Sequence, residues 1–243
     1  MIATLLRRGL LAGLLAGLLA GGFAFVLGEP TIDQSIELEQ MASDGHGHSH
    51  GEEGGEEEPF SRTGQKVGLF FATGLFGVTS GGIFGLAFAY FRDRLQAASE
   101  WGRSLSLAGA GFLAIFLIPF LKYPANPPTV GDPETIGVRT TAYFALMALS
   151  LAVVIGGWAA ARALRRRGMG TPARQALVVA GCAIVVATAF ALLPASPDAG
   201  EFPAGMLWEF RMSSLGTQAV FWIGLGGAFG LLGERAARKR ADA

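Results

Sequence analysis

The chain has 243 residues, 51% of them hydrophobic and 16% charged, and its 19 Lys and Arg balance its 19 Asp and Glu. The apolar residues stand in unbroken runs of about 20 instead of recurring with a period of two or 3.6, which excludes a water-soluble globular domain and predicts membrane-spanning helices. The single Cys leaves no disulfide framework and no thiolate metal cluster, and no nucleic-acid partner is expected.

The first run, residues 9–28, follows Arg7 and Arg8. Basic residues ahead of an apolar stretch also fit a secretory leader, but ~20 residues exceed the 7 to 15 of a leader's apolar core, so a retained span is expected. Within it Gly9, Gly13, Gly17 and Gly21 recur every four residues and line one stripe of the helix. Lipid gives helices no hydrophobic reason to associate, and such a stripe lets a second backbone come close, either inside the bundle or across the seam of a homo-oligomer.

Residues 29–66 form the one sizeable polar segment. Pro30 opens TIDQSIELEQM, in which Ile32, Ile36 and Glu39 part from Asp33, Glu37 and Gln40 as on a short amphipathic helix at the membrane interface. The stretch that follows, SDGHGHSHGEEGGEEE, lacks the apolar surface to fold alone. All three histidines of the chain, His46, His48 and His50, sit there with Asp44, Glu52 and Glu53 around them. In an extended chain alternate residues point to one side, and imidazole with carboxylate suits a divalent transition metal. The cluster is either a metal-capture site or a solvated polar loop. As ligands these residues do not choose among Co2+, Ni2+ and Zn2+, because affinity follows the metal series rather than need.

The later runs are 67–91, which repeats the glycine device at Gly77, Gly81 and Gly85, then 105–121, 140–161, 175–193 and 212–233, the last with Gly226 and Gly230. Cys182 lies inside the fifth run and behaves as a small apolar residue. None of the six contains Asp, Glu, Lys, Arg or His, and the third, with 17 residues, is the shortest. The expected fold is all-α, a polytopic membrane bundle of about six transmembrane helices. It divides into an N-terminal span (1–28), an outer acidic and His-bearing loop (29–66) and five further spans with proline-rich outer loops (67–243).

Threaded with the N-terminus inside, 14 of the 19 Lys and Arg fall in cytoplasmic pieces, and five, Arg62, Lys66, Lys122, Arg139 and Arg211, fall outside. Positive charge is retained on the cytoplasmic side of short loops, so both termini are expected there. Of the 19 acidic residues 15 fall outside, ten of them between positions 29 and 58, so the outer surface attracts cations.

Several chemistries have no residues to carry them. There is no G-x-x-x-x-G-K-[ST] phosphate loop for ATP hydrolysis, no ionisable group inside a span to relay protons, and no catalytic dyad, so no enzyme is expected. Polar atoms inside the bundle reduce to Thr73, Thr79, Ser80, Ser150, Thr188, Thr217 and Gln218, with Met147 as a soft donor. At the membrane edges stand Glu29, Lys122, Tyr123, Asn126, Arg139, Trp208, Glu209, Phe210 and Arg211. They are either interface anchors or, through Glu29, Asn126 and Glu209, the lining of a translocation mouth.

Three segments carry a family resemblance: the first span ending in the Glu29-Pro30 step, LKYPANPPTVGDPETIGVR at 121–139, and FPAGMLWEFRMSSLGTQ at 202–218. Together they resemble the CbtA family of probable cobalt transporter subunits over most of the chain. The resemblance implies a bacterial inner-membrane protein of cobalt uptake and cobalamin supply, accompanied by a small single-span partner, CbtB, with histidines of its own. It also implies five spans, one fewer than hydropathy gives. The expected function is a membrane subunit that captures Co2+, or alternatively Ni2+ or Zn2+, at the outer loop and passes it inward. A non-transporting subunit that senses or sequesters the metal is the alternative. Membrane lipid is the remaining expected partner.

Overall fold

The computed structural model describes residues 1–45, 61–95, 97–127, 130–131, 133–196, 199–200 and 202–241, and among these there are helices and no strand. Six helices of the described residues are long and apolar enough to cross a membrane: Ile2–Leu27, Arg62–Phe91, Glu100–Lys122, Ile136–Arg166, Thr171–Leu192 and Ala204–Lys239. The count equals that of the apolar runs and is one more than the resemblance implies. Each helix outruns its apolar stretch because the charged residues at its ends continue the helical hydrogen bonding. The shortest run becomes a 23-residue helix, long enough to span, while the last grows most, to 36 residues.

The chain folds as two units, unit 1 from Met1–Gly109, Asn126–Thr129 and Phe202–Ala243, and unit 2 from Ala110–Ala125 and Val130–Glu201. Unit 1 holds α1 (Ile2–Leu27), α2 (Glu29–Gly45), α3 (Arg62–Phe91), most of α4 (Glu100–Gly111) and α8 (Ala204–Ala241). Its centre is α1, whose GLLA repeat has a four-residue period close to the 3.6 of the helix and so sorts residue types onto separate faces.

The glycine face meets α3. A Cβ on Gly13 would lie 2.8 Å from the Gly81 Cα, one on Gly81 2.7 Å from the Gly13 Cα, and one on Gly77 2.9 Å from the Gly17 Cα. Two backbones are thus in contact, and the stripe is a seam inside the unit. The alanine face, Ala12, Ala16 and Ala20, is buried as well, with Ala16 against Gly224 of α8. The remaining face, Leu11, Leu15 and Leu19, stays exposed, which costs nothing where the solvent is hydrocarbon.

Aromatic rings fill the space beside the glycine seam. Phe229 of α8 packs on Phe84 and Phe88 of α3, with centroids 5.2 and 4.8 Å away. The glycines of α8 seat α4: a Cβ on Gly226 would lie 2.7 Å from the Ala108 Cβ, and one on Gly230 2.9 Å from the Trp101 Cα. That approach lets the buried Ser104 hydroxyl donate to the Gly226 carbonyl at 2.7 Å. Beyond it Arg8 lies 5.0 Å over the Phe229 ring and 2.8 Å from Glu100, with Arg92 3.6 Å from the same carboxylate. The early part of α1 and the late part of α8 therefore share one end of unit 1.

Unit 2 contains the end of α4, a π-helical turn at Phe112–Leu117, α5 (Ile118–Lys122), a 3-10 turn at Pro133–Thr135, α6 (Ile136–Arg166) and α7 (Thr171–Leu192). The π turn has an identifiable cause. Pro119 has no N–H and its ring crowds the preceding turn, so the helix widens before it and the Ile118 N–H donates to the Leu113 carbonyl. In that register the Ala114 carbonyl would look to residue 119, which has nothing to donate. The buried Ser150 hydroxyl of α6 supplies the donor instead. Across the unit Lys122 donates to the Phe190 carbonyl and Tyr123 to that of Pro194, both at 2.8 Å. Burial pushes the Tyr123 phenol up from its ordinary value, so it stays a neutral donor.

Candidate functional site

Glu29, Asn126 and Glu209 all belong to unit 1 and lie toward its α2 end, opposite Arg8. The chain turns from α1 into α2 at Gly28, whose N–H donates to the Ala24 carbonyl at 2.7 Å and whose Cα sits so close to α8 that a Cβ would lie 3.1 Å from the Ser213 Oγ. Glu29 follows, 9% exposed, and its carboxylate accepts from Arg62 at 2.8 Å. Arg62 also donates through Nε to Asp33 at 3.1 Å, and Lys66 reaches the other Asp33 oxygen at 2.8 Å. Two carboxylates and two cations thus close a neutral cluster that latches α2 onto the start of α3.

Hydrogen bonds from Lys66 and then Arg62 hold the Asp33 carboxyl below its ordinary value of 3.8. The sign follows from linkage. A depressed carboxylate stabilises the fold fully above its unfolded pKa, and the contribution is lost as pH falls through the native value. The latch therefore holds throughout the range in which a histidine titrates.

The buried side of α2 carries small side chains. Thr31 and Ser35 are buried, with the Ser35 hydroxyl donating to the Thr31 carbonyl at 2.7 Å, while Ile32 and Ile36 are half-buried. Small side chains allow α2 to approach α1 and α8 closely, and an isoleucine face would hold it off.

Asn126 accepts from Arg211 at 2.9 Å, and Glu209, two residues earlier on α8, is exposed. The structure brings the three proposed mouth residues to one end, but it engages Glu29 and Asn126 with different arginines. A cation arriving there competes with Arg62 for Glu29. Arg62→Gln is accordingly expected to lower thermal stability by about 1–3 kcal/mol, the cost of an unpartnered buried acceptor, and added Co2+ should restore part of it. Thermal unfolding checks this, with Arg62→Gln combined with Glu29→Gln as the variant that cobalt should not rescue.

Of the proposed metal ligands, Asp44 lies in the last turn of α2, and His46, His48, His50, Glu52 and Glu53 lie outside the described residues. Among the described residues no group of three His, Cys, Asp or Glu could hold a metal ion. The polar side chains expected inside the bundle are largely spent on their own helices: Thr73, Thr188 and Thr217 each donate at 2.8 Å, and Thr79 at 3.0 Å, to a carbonyl one turn back. Ser104 and Ser213 are buried polar residues that hydropathy does not single out. Ser104 precedes the third run by one residue, and its only signal is the small partner, Gly226, on another helix.

Residues 2–234 match the family described as “Probable cobalt transporter subunit (CbtA)”. The chain belongs to the CbtA family. The match covers nearly the whole length, and α2, the α2–α3 latch and the Asn126–Arg211 pair lie within it. No curated protein and no solved structure matches it. As a CbtA subunit it is a multi-pass membrane protein of cobalt transport, with cobalt as cargo and at least one further subunit in its setting.

Proposed function

We propose that this CbtA protein takes up cobalt across the bacterial inner membrane by capturing Co2+ at Asp44, His46, His48, His50, Glu52 and Glu53 and passing it to the α2 end of unit 1. Glu29, Asn126 and Glu209 form the mouth there, and a small single-span partner of the CbtB kind completes the complex that supplies cobalamin synthesis. The family match carries this reading. Two features support its details. The His-bearing segment leaves the end of α2 and re-enters at α3, whose Arg62 and Lys66 are tied to α2. The acidic residues also concentrate on this side, where an anionic field raises the local concentration of cations. The protein performs no covalent chemistry in this scheme. The alternative is an accessory subunit that senses or sequesters metal for a transporting partner.

Cobalt accumulation in vesicles carrying this chain with and without its partner separates the two. Uptake that needs both supports the transport role, and a partner that transports equally well alone assigns the accessory one. Orientation is tested in a Cys182→Ala background. Single cysteines at Ser49 and Asp198 are expected to react with a membrane-impermeant thiol reagent from outside intact cells, and one at Gly168 is not. Labelling at Gly168 would invert the topology.

A further inference from the structure

Unit 2 carries a feature to which none of the proposed capture and mouth residues belongs. A groove of ≈ 520 Å³ runs between α6 and α7, walled by Val153, Gly156, Ala160, Leu177, Gly181 and Val185, with Arg167 at one end. A Cβ placed on Gly156 or Gly181 meets nothing within 4 Å, so the chain itself does not fill the space. An unfilled apolar surface forfeits its dispersion contacts, and in a bilayer the groove will take an apolar occupant.

Its width suits a narrow occupant. The wall on α6 runs from Val153 to Arg167, about 21 Å at 1.5 Å per residue, so the mean cross-section is roughly 25 Å². A helix about 11 Å across would rest on so narrow a groove by its side chains and not sink into it. A single extended hydrocarbon chain fits.

Charge at the end of the groove selects the rest of the molecule. Arg162, Arg165, Arg166, Arg167 and Arg174 fall within 13 residues, and residues 135–197 contain no Asp or Glu to answer them. Arg162 lies 4.8 Å over the Trp158 ring, and Arg174 makes only 3.4 Å bonds to Met169 and Thr171. The N-terminus of α7 opens beside them without a side-chain cap, leaving N–H groups that suit an anion.

We infer that the α6–α7 groove is a binding site for an anionic phospholipid, with one acyl chain between Gly156 and Gly181 and the phosphate on the arginines around Arg167. The site holds chain and headgroup together, so it selects lipids by charge as well as by apolarity.

Native mass spectrometry of the full-length protein with phosphatidylglycerol and phosphatidylcholine of identical acyl chains tests the inference. Wild type is expected to retain phosphatidylglycerol on the order of 100-fold better, since each arginine near the phosphate contributes a factor of about five. Replacing Arg165, Arg166 and Arg167 by Gln should reduce phosphatidylglycerol to the level of phosphatidylcholine. Gly156→Leu with Gly181→Leu, both pointing into open space, should lose both lipids while the melting temperature in lipid-free detergent stays at the wild-type value. The inference is overturned if wild type retains the two lipids alike, or if the Leu pair retains phosphatidylglycerol fully. It is also overturned if a cysteine at Gly156 in the Cys182→Ala background cross-links in membranes to a second polypeptide, which would give the groove to a protein partner. The arginine variants keep the test decisive if the Leu pair fails to fold, because their side chains lie outside the packed helix contact.

Discussion

Gly13→Ala and Gly81→Ala are each expected to destabilise the protein by at least about 1–3 kcal/mol, the range for forcing a methyl-sized group into a packed interior. The atom in the way is what makes these the largest effects of so small a change. The new Cβ at Gly13 meets the Gly77 carbonyl and, at 2.8 Å, the Gly81 Cα, and that at Gly81 meets the Gly9 carbonyl and the Gly13 Cα. A side chain could rotate away, but a backbone moves only with its helix, so α1 and α3 must separate along the whole seam. Gly13→Leu with Gly17→Leu should then prevent unit 1 from assembling at all. Gly22→Ala on α1 and Gly68→Ala on α3 are the matched controls. A Cβ there meets nothing within 4 Å, and the gain in helix propensity, up to ~1 kcal/mol, should leave stability unchanged or raised. Thermal unfolding of the purified protein reads all four. Wild-type stability of Gly13→Ala would mean that the two backbones do not touch.

The contrast between those glycines also marks how far the sequence reaches. The four-residue spacing of Gly9, Gly13, Gly17 and Gly21 was legible as a close-packing stripe, and so were the six spans, because periodicity and apolar length are properties of the chain alone. The partner of the stripe was not, since α3 and a second copy offer the same chemistry to a glycine face. The alanines one position earlier are buried as well and are hidden by ordinary helix composition. At the α2 end, Glu29 was legible as a membrane-edge carboxylate, but its fate depends on Arg62, 33 residues away, which only the fold brings to 2.8 Å. The amphipathic pattern of Ile32 and Ile36 foretold a helix but not which of its sides packs against protein. Hydrophobic periodicity assumes that the apolar face is the buried one, whereas a helix lying close against two others buries its smallest side chains. Ser150 shows the same limit. Its hydroxyl is needed because of a proline 31 residues earlier, and the need becomes visible only once the π turn leaves Ala114 without a donor.

Replacing His46, His48 and His50 together by Ala is expected to raise the external cobalt concentration needed for half-maximal uptake while leaving the maximal rate largely intact. Capture outside the membrane concentrates the ion and does not conduct it, so it acts on occupancy and not on turnover. The same imidazole nitrogens bind protons, with a reference pKa of ~6.5 that the neighbouring Asp44, Glu52 and Glu53 should raise, and a metal must displace those protons to bind. Half-saturation in the wild type should therefore climb as pH falls from 7.5 to 5.5, and the triple variant should lose that dependence. The latch at Asp33 cannot mimic the effect, because its carboxyl titrates below its ordinary value of 3.8 and stays ionised across the whole interval. Changes at the mouth should separate cleanly from changes in capture. Asn126→Ala releases Arg211 from its 2.9 Å bond and Glu209→Gln removes an exposed carboxylate, so both should lower the maximal rate with the pH profile of half-saturation preserved. If the triple-alanine protein has the concentration dependence and the pH profile of the wild type, the histidines are a solvated loop, and cobalt enters without being captured there.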